Sequence, residues 1–299
     1  MSAANVGLVG LGNMGAAVSQ RLVAAGPLKG FDLSPDRQAD ARAIGVEVVE
    51  DLAGFAGCDV VVLSLPSPKI SLSVVSELRG ILAPGATIIE TSTVNPHDMQ
   101  ALRRALDGSG IAIVDAAILS GVGVMQKGSA ILLTGGDPEV LERVRPVLES
   151  MSARILNFGD LGTGMAAKVI NNAVAHAVMV VLVEAVALAE STGIGLEAIS
   201  ELLNDPDAGL TRPLTHRIME RVAQSDYEGG MPLDAARKDS TLVLELAQAS
   251  HTPLFAIQAS HTVYELAMAA GLARKDYAAL ATLWPQFAQF AQDADEAER

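Results

Sequence analysis

At 299 residues the chain is long enough for one large or two ordinary domains. Half of it is apolar and only 3% aromatic, so the core has to be built from Ala, Val, Leu and Ile. The formal net charge of −14 argues against nucleic-acid or anionic-membrane partners, which want basic stripes, but not against a small anionic substrate held by a few local cations.

In chain order, short β-branched runs alternate with helical stretches. Met1 to Val9 lacks the basic start and long apolar stretch of a signal peptide. Val6 to Val9 reads as a strand, Gly15 to Ala25 as a helix and Leu28 to Phe31 as a second strand. Val46 to Val49, Val60 to Leu65, Thr87 to Glu90, Ile111 to Asp115 and Ala130 to Thr134 continue the series. Gly26-Pro27, Pro66, Pro84-Gly85 and Gly135-Gly136-Asp137-Pro138 punctuate it. Strands alternating with helices predict an α/β domain of Rossmann type, a doubly wound parallel sheet covered on both faces. Cys58 stands alone, which excludes an intrachain disulfide framework and fits a reducing cytoplasm. Ahead of an apolar run it reads as a buried thiol.

The character changes at Gly159-Asp160-Leu161-Gly162-Thr163-Gly164, after which strand signals stop. Met165 to Ser191 reads as one long helix. Leu196 to Leu203, Leu214 to Gln224, Leu233 to Ser250, Leu254 to Ala270 and Asp276 to Gln292 read as further helices, with Asp293 to Arg299 a frayed tail. The reading therefore divides the chain into a dinucleotide-binding domain over 1–162 and an all-helical substrate and dimerisation domain over 163–299. His176 and Glu184 interrupt the most apolar segment. Its longest unbroken run, Ala177 to Val183, is far short of the ~20 residues of a membrane span. It reads as a helix buried in the protein or an oligomer.

Three features carry chemistry. The first is Gly10-Leu11-Gly12-Asn13-Met14-Gly15, placed between a strand and a helix. Gly10 permits the turn, Gly12 lets a pyrophosphate approach the backbone, and Gly15 lets the helix pack close to the sheet. The second is Asp32, about 20 residues after Gly12, where a carboxylate bonds the ribose hydroxyls of NAD and repels the 2′-phosphate of NADP. NAD is favoured, with NADP still possible because Arg37 is nearby. The third is Lys168, in the first turns of the long apolar helix, with Asn172 on the same face. Partial burial would lower the lysine's proton affinity toward the range where it exchanges protons with a substrate hydroxyl. The loops after two strands, Leu63 to Pro66 and Glu90 to Pro96, lie at the carboxyl ends where such sheets bind ligands. His176 reads as a packed or interface residue. His97, His216, His251 and His261 lack partners at metal-ligand spacing, so no metal site is expected.

Together with Leu65-Pro66, Ser92-Thr93 and Pro96, Asp115-Ala116, Gly128-Ser129, Lys238-Asp239, Ala270-Gly271-Leu272 and Asp276-Tyr277, these motifs resemble the β-hydroxyacid dehydrogenase family over nearly the whole chain. That family includes the 3-hydroxyisobutyrate and 6-phosphogluconate dehydrogenases. The resemblance implies an NAD(P)-dependent oxidoreductase with Lys168 as general acid/base. Asn172, Ser120 and Gly121 become substrate contacts, and Leu65, Pro66, Thr93 and Lys238 lie along the cofactor toward its nicotinamide end. It also implies a homodimer or homotetramer. One segment departs from the pattern. Members commonly read Asp-Ala-Pro-Val-Ser-Gly-Gly, whereas Leu119 falls here at the serine position and Ser120 at the first glycine. This stretch resembles the imine reductases, which lack the lysine. Two alternatives accompany the dehydrogenase reading. One is a reductase of imines or bulkier uncharged carbonyls, the other a non-catalytic dinucleotide-binding module.

Overall fold

The computed structural model describes residues 4–286. By compactness the chain divides into Met1–Ala173 and Val174–Arg299.

The first unit is an eight-stranded sheet: β1 (Val6–Val9), β2 (Leu28–Phe31), β3 (Glu47–Val48), β4 (Val60–Leu63), β5 (Thr87–Glu90), β6 (Ala112–Leu119), β7 (Ile131–Gly135) and β8 (Arg154–Asn157). Their order is β3-β2-β1-β4-β5-β6-β7-β8. All pairs are parallel except β6 with β7. Helices α1 (Asn13–Ala25), α2 (Pro35–Ala43), α3 (Pro68–Leu78), α4 (Pro96–Ala105), α5 (Val122–Gln126) and α6 (Pro138–Met151) complete it. All four residues of β4 are buried. Val60 and Val62 join a core with Val18 and Leu22 of α1 and Val144 and Leu148 of α6. Val61 and Leu63 join the opposite core with Val75 of α3 and Met99 and Leu102 of α4. A strand covered on both faces has to be apolar at every position, which is why this run does not alternate.

Two strands depart from the sequence reading. Charged Asp115 had looked like the end of its strand, but its carboxylate is buried and hydrogen-bonded, so β6 runs on to Leu119. The connection to β7 contains only five-residue α5, too little for a crossover, and the chain returns antiparallel. Edge strand β8 escaped the reading because only its two central residues are half-buried.

Helix α7 (Thr163–Ser191) begins in the first unit and continues into the second. It is longer and more apolar than its unbroken run suggested. An 18-residue window averages a hydropathy of 2.0, enough by length and composition to cross a membrane, and 11% of that window is buried within the chain. The run-length argument failed because it stopped at His176 and Glu184, whose flanks are apolar too.

The second unit adds α8 (Leu196–Asn204), α9 (Leu233–Ala249) and α10 (Ala256–Ala269). Its core of Leu233, Ala267 and Leu283 is extended by Val263, Tyr264 and Leu280. Glu184 of α7 accepts the amides of Phe255, Ala256 and Ile257 and so caps the start of α10 from 71 to 73 residues away. The helix expected over Leu214 to Gln224 is instead a π-helical turn at Pro213–Ile218 and a 3₁₀ turn at Val222–Gln224. Pro213 opens the first turn, and Ser225 closes the second at a positive φ of 53°. Arg217 lies 3.3 Å from the buried Asp276 carboxylate and over the Tyr277 ring. The last expected helix is described as a 3₁₀ turn at Tyr277–Thr282 with helical residues 283–286 after it. The rest of that helix and the tail over 293–299 lie outside the described residues.

Candidate active site

Because β1, β2, β4, β5 and β6 are parallel, their carboxyl ends form one edge of the first unit. Most of the site residues expected from sequence lie along it.

At the end of β1, Gly10 adopts a φ of +94°, and its amide donates to the Phe31 carbonyl at 2.8 Å. A Cβ on Gly10 would run into the Ser64 carbonyl, and one on Gly15 into the carbonyl of Gly10. Nothing stands within 4 Å of a Cβ on Gly12, which is the N-cap of α1 and has no side-chain cap. The first amides of a 13-residue helix therefore face open space beside a residue with no side chain. These residues fit a pyrophosphate. Leu11 is buried, Met14 half-buried and Asn13 exposed.

Asp32 follows β2. Its carboxylate accepts the Leu11 amide at 2.7 Å and the Ser34 amide at 2.9 Å. It thus ties the glycine loop to the second strand while staying half-exposed, with lone pairs left for a ribose. Arg37 donates to the Asn13 side chain at 2.8 Å, which places a guanidinium over the same loop.

Leu65 and Pro66 follow β4, and Thr93 follows β5. Pro66 and Thr93 are exposed and Leu65 half-buried. The Leu65 amide donates to Ser92 Oγ at 2.7 Å, so the two loops are joined.

Asp115, in register with Glu90 on the neighbouring strand, receives the amides of Gly162 at 2.6 Å and Met165 at 2.9 Å. It is an N-terminal cap for α7 supplied by a distant strand. A Cβ on Gly164 would meet this carboxylate and the Leu133 carbonyl. Gly164 is thus required by close packing, and Gly162 is favoured by its positive φ of 96°. Burial pushes Asp115 up to about 6, against the lowering effect of the Gly162 and Met165 amides.

Lys168 lies one turn beyond Met165. It is half-buried and, among the described residues, its ammonium has no ion pair or hydrogen bond. Burial alone lowers its pKa. Half-buried Asn172 follows one turn later, and His176 is exposed on this chain, which leaves the interface residue of its two readings. Ser120 at the end of β6 keeps a buried Oγ with no partner, and Gly121 is the exposed N-cap of α5. Lys238 belongs to a different unit from the other expected site residues. It lies in the second unit, exposed and paired with Asp239 at 3.1 Å.

Among the described residues no cluster of three metal-ligating side chains occurs. His261 is less isolated than its sequence context suggested. It contacts Ser240 Oγ at 3.0 Å and Glu265 at 3.2 Å. Cys58 is buried, and burial raises its pKa. The residue that sequence reasoning missed is Asp115, quoted only as part of a motif. A lone carboxylate inside an apolar strand was the available signal.

Residues 5–162 match the family described as the NAD binding domain of 6-phosphogluconate dehydrogenase. Residues 162–284 match the family described as NAD-binding of NADP-dependent 3-hydroxyisobutyrate dehydrogenase. The chain belongs to the 3-hydroxyisobutyrate dehydrogenase family. It is 30% identical to an NAD-dependent L-serine dehydrogenase of Pseudomonas aeruginosa, over 93% of this chain and 97% of the relative. A 3-hydroxyisobutyrate dehydrogenase of Mycobacterium tuberculosis, solved with L-serine, is 28% identical with a TM-score of 0.65, covering 93% of this chain and 97% of that one. A Streptomyces aurantiacus imine reductase shares the fold with a TM-score of 0.85 at 19% identity, over 94% and 99% of the two chains. This family member is thus an NAD(P)-dependent oxidoreductase acting on CH–OH groups.

Proposed function

We propose that the enzyme interconverts the alcohol and aldehyde of a small hydroxy acid or a related compound, with Lys168 as general acid/base. The bound nicotinamide supplies the hydride acceptor or donor. Lys168 removes the hydroxyl proton in oxidation and returns it in reduction, and Asn172 orients the substrate oxygen from the same helix face. The observation that supports this is a half-buried lysine without a counter-ion among the described residues, its pKa lowered by burial, on a helix capped at the cofactor edge by Asp115. Such an amine sheds its proton more readily than a solvated one. The domain boundary that matters for this chemistry is 162/163, where the helix begins. Lys168→Ala should lower turnover by ~10²–10⁴-fold at saturating substrate, with NADH binding unchanged. Near-wild-type turnover would end the assignment.

NAD is the preferred cofactor in this reading. Asp32 faces the ribose, and Arg37, the cation available for a 2′-phosphate, is already bonded to Asn13. The enzyme works in the cytoplasm as a homodimer or homotetramer. An oligomer would cover Val174, Met179, Val180 and Val183, apolar side chains that α7 leaves exposed.

A second reading has its own support. At the end of β6, Leu119 and the uncapped Ser120 hydroxyl replace the serine and glycine common in the family, and Val122 and Val124 beyond them are exposed. That composition suits a bulkier, less charged carbonyl or imine substrate. A panel of short hydroxy acids against cyclic imines, run with both NADH and NADPH, separates the two readings. Family membership leaves the non-catalytic module without support.

A further inference from the structure

Glu90 is fully buried at the carboxyl end of β5, and no step above uses it. Its Oε1 accepts the Ser92 amide at 2.8 Å. Ser92 Oγ in turn accepts the Leu65 amide at 2.7 Å, and the adjacent Thr91 hydroxyl donates to the Leu63 carbonyl at 2.6 Å. Glu90 therefore heads a short relay that fastens the loop after β5 to the loop after β4. Its other oxygen, Oε2, is buried with no hydrogen-bond partner, as is Ser71 Oγ of α3. Ser71 is near enough to lower the carboxyl's proton affinity, yet outside hydrogen-bond geometry. Two orphaned polar atoms in one buried place are costly, and a fold tolerates them where another role compensates.

We propose that Glu90 is a positioning residue for the cofactor. By fixing Ser92, and through it the Leu65 amide, it sets the rim against which the nicotinamide end rests. The proposal depends on the reading of Leu65, Pro66 and Thr93 as cofactor contacts.

A consequence is that affinity for the dinucleotide follows pH. Burial pushes Glu90 up to about 7, against the lowering influence of the neighbouring Ser92, Ser71 and Thr91. Asp115, its neighbour on β6, is itself raised to about 6. It is in register with Glu90 and bonded to the amides of α7. Lys69 and Glu77 of α3 and His97, Arg103 and Arg104 of α4 are exposed, and Asp98 of α4 accepts the Asn95 amide. An ionised carboxylate is the stronger acceptor, so the Ser92 bond tightens and the rim firms as pH rises through this range.

The test is equilibrium titration of the full-length enzyme with NADH, followed by fluorescence, at pH 6 and pH 8.5. Wild type should bind about fivefold more tightly at the higher pH, the gap between a neutral and a charge-assisted hydrogen bond. Glu90→Gln should lose that dependence and bind at pH 8.5 as wild type does at pH 6. Ser92→Ala keeps the carboxylate but breaks the relay, and should weaken binding at both values by a similar factor with an unchanged circular dichroism spectrum. If Glu90→Gln does not fold, Ser92→Ala decides. A Glu90→Gln variant with the wild-type slope, or a Ser92→Ala variant with wild-type affinity, would overturn the proposal and leave the dinucleotide site standing. Wild-type protein that binds no NADH at either pH would overturn both.

Discussion

Two carboxylates side by side on neighbouring strands dominate the chemistry at the scale of single residues. Glu90 and Asp115 are in register, and burial raises both, to about 7 and about 6, from ordinary values of 4.5 and 3.8. Folding therefore favours their protonated forms. The stability they contribute is full at acid pH below the ordinary carboxylate range, and is lost as pH rises through 6 to 7. The urea midpoint should fall between pH 4.5 and 7.5, and Glu90→Gln should remove on the order of 3 kcal/mol of that slope. A flat profile in wild type would contradict this. Asp32 works differently. It is spent on two amides of its own fold and stays half-exposed, with lone pairs left for the ribose of the proposed cofactor. Asp32→Ser should raise relative NADP affinity at least ~10-fold, since it removes a charge close to the 2′-phosphate. Competitive binding of the two cofactors measures this.

At the scale of elements, the molecule caps its helices from far away. The start of α7 is held by Asp115 of β6, and that of α10 by Glu184 of α7. Each cap satisfies amides that would otherwise be orphaned at a helix end, and each pins a helix to a particular partner. Burial pushes Glu184 up, but its three amides together outweigh it and hold its carboxyl below the usual range. Its stabilisation is therefore present above the ordinary carboxylate pKa and is lost as pH falls through the folded value, opposite to Glu90. Asp115→Asn retains one acceptor and loses the charge. It should cost about 1–3 kcal/mol and speed hydrogen exchange at the amides of Gly162 and Met165. Turnover should fall with it, because Lys168 is carried on the helix so released. Unchanged exchange at those amides would show that the cap is not holding the helix.

At the scale of the whole molecule, the two units are unequally finished. The first has two apolar cores enclosing its sheet. Among the described residues the second has a smaller core around Leu233, Ala267 and Leu283, and its helices expose Val180, Val183, Leu202, Leu242 and Leu266. Large apolar side chains exposed in this number fit the proposed oligomer, which would cover them. Val180→Asp should shift the protein toward monomer in sedimentation velocity and lower its melting temperature. A variant with wild-type mass and stability would show that the α7 face is not the contact. Membrane insertion of α7 is the competing account of its apolarity. The buried Glu184 cap, bonded to three amides of a neighbouring segment, weighs against it.

Much of this was legible in the sequence because it is local. The glycine loop needs its strand, turn and helix in immediate succession, and Asp32 follows at the spacing that one helix dictates. The strands Val6–Val9 and Thr87–Glu90 announce themselves by β-branched residues, and Leu28–Phe31 by the Gly26-Pro27 turn before it. What only the tertiary structure decided depends on partners distant along the chain. β6 runs through Asp115 because helix amides 47 and 50 residues later satisfy the carboxylate, and no local pattern encodes that. Glu90 looked like an ordinary strand end until burial and an unpartnered oxygen set it apart. The segment after Pro213 has helical periodicity, yet it is broken into turns where Arg217 reaches Asp276, 59 residues away in number but 3.3 Å away in space. Sequence specifies backbone preference over a turn or two. The burial that changes a carboxylate's proton affinity, or justifies a charge inside a strand, exists only once distant segments have packed.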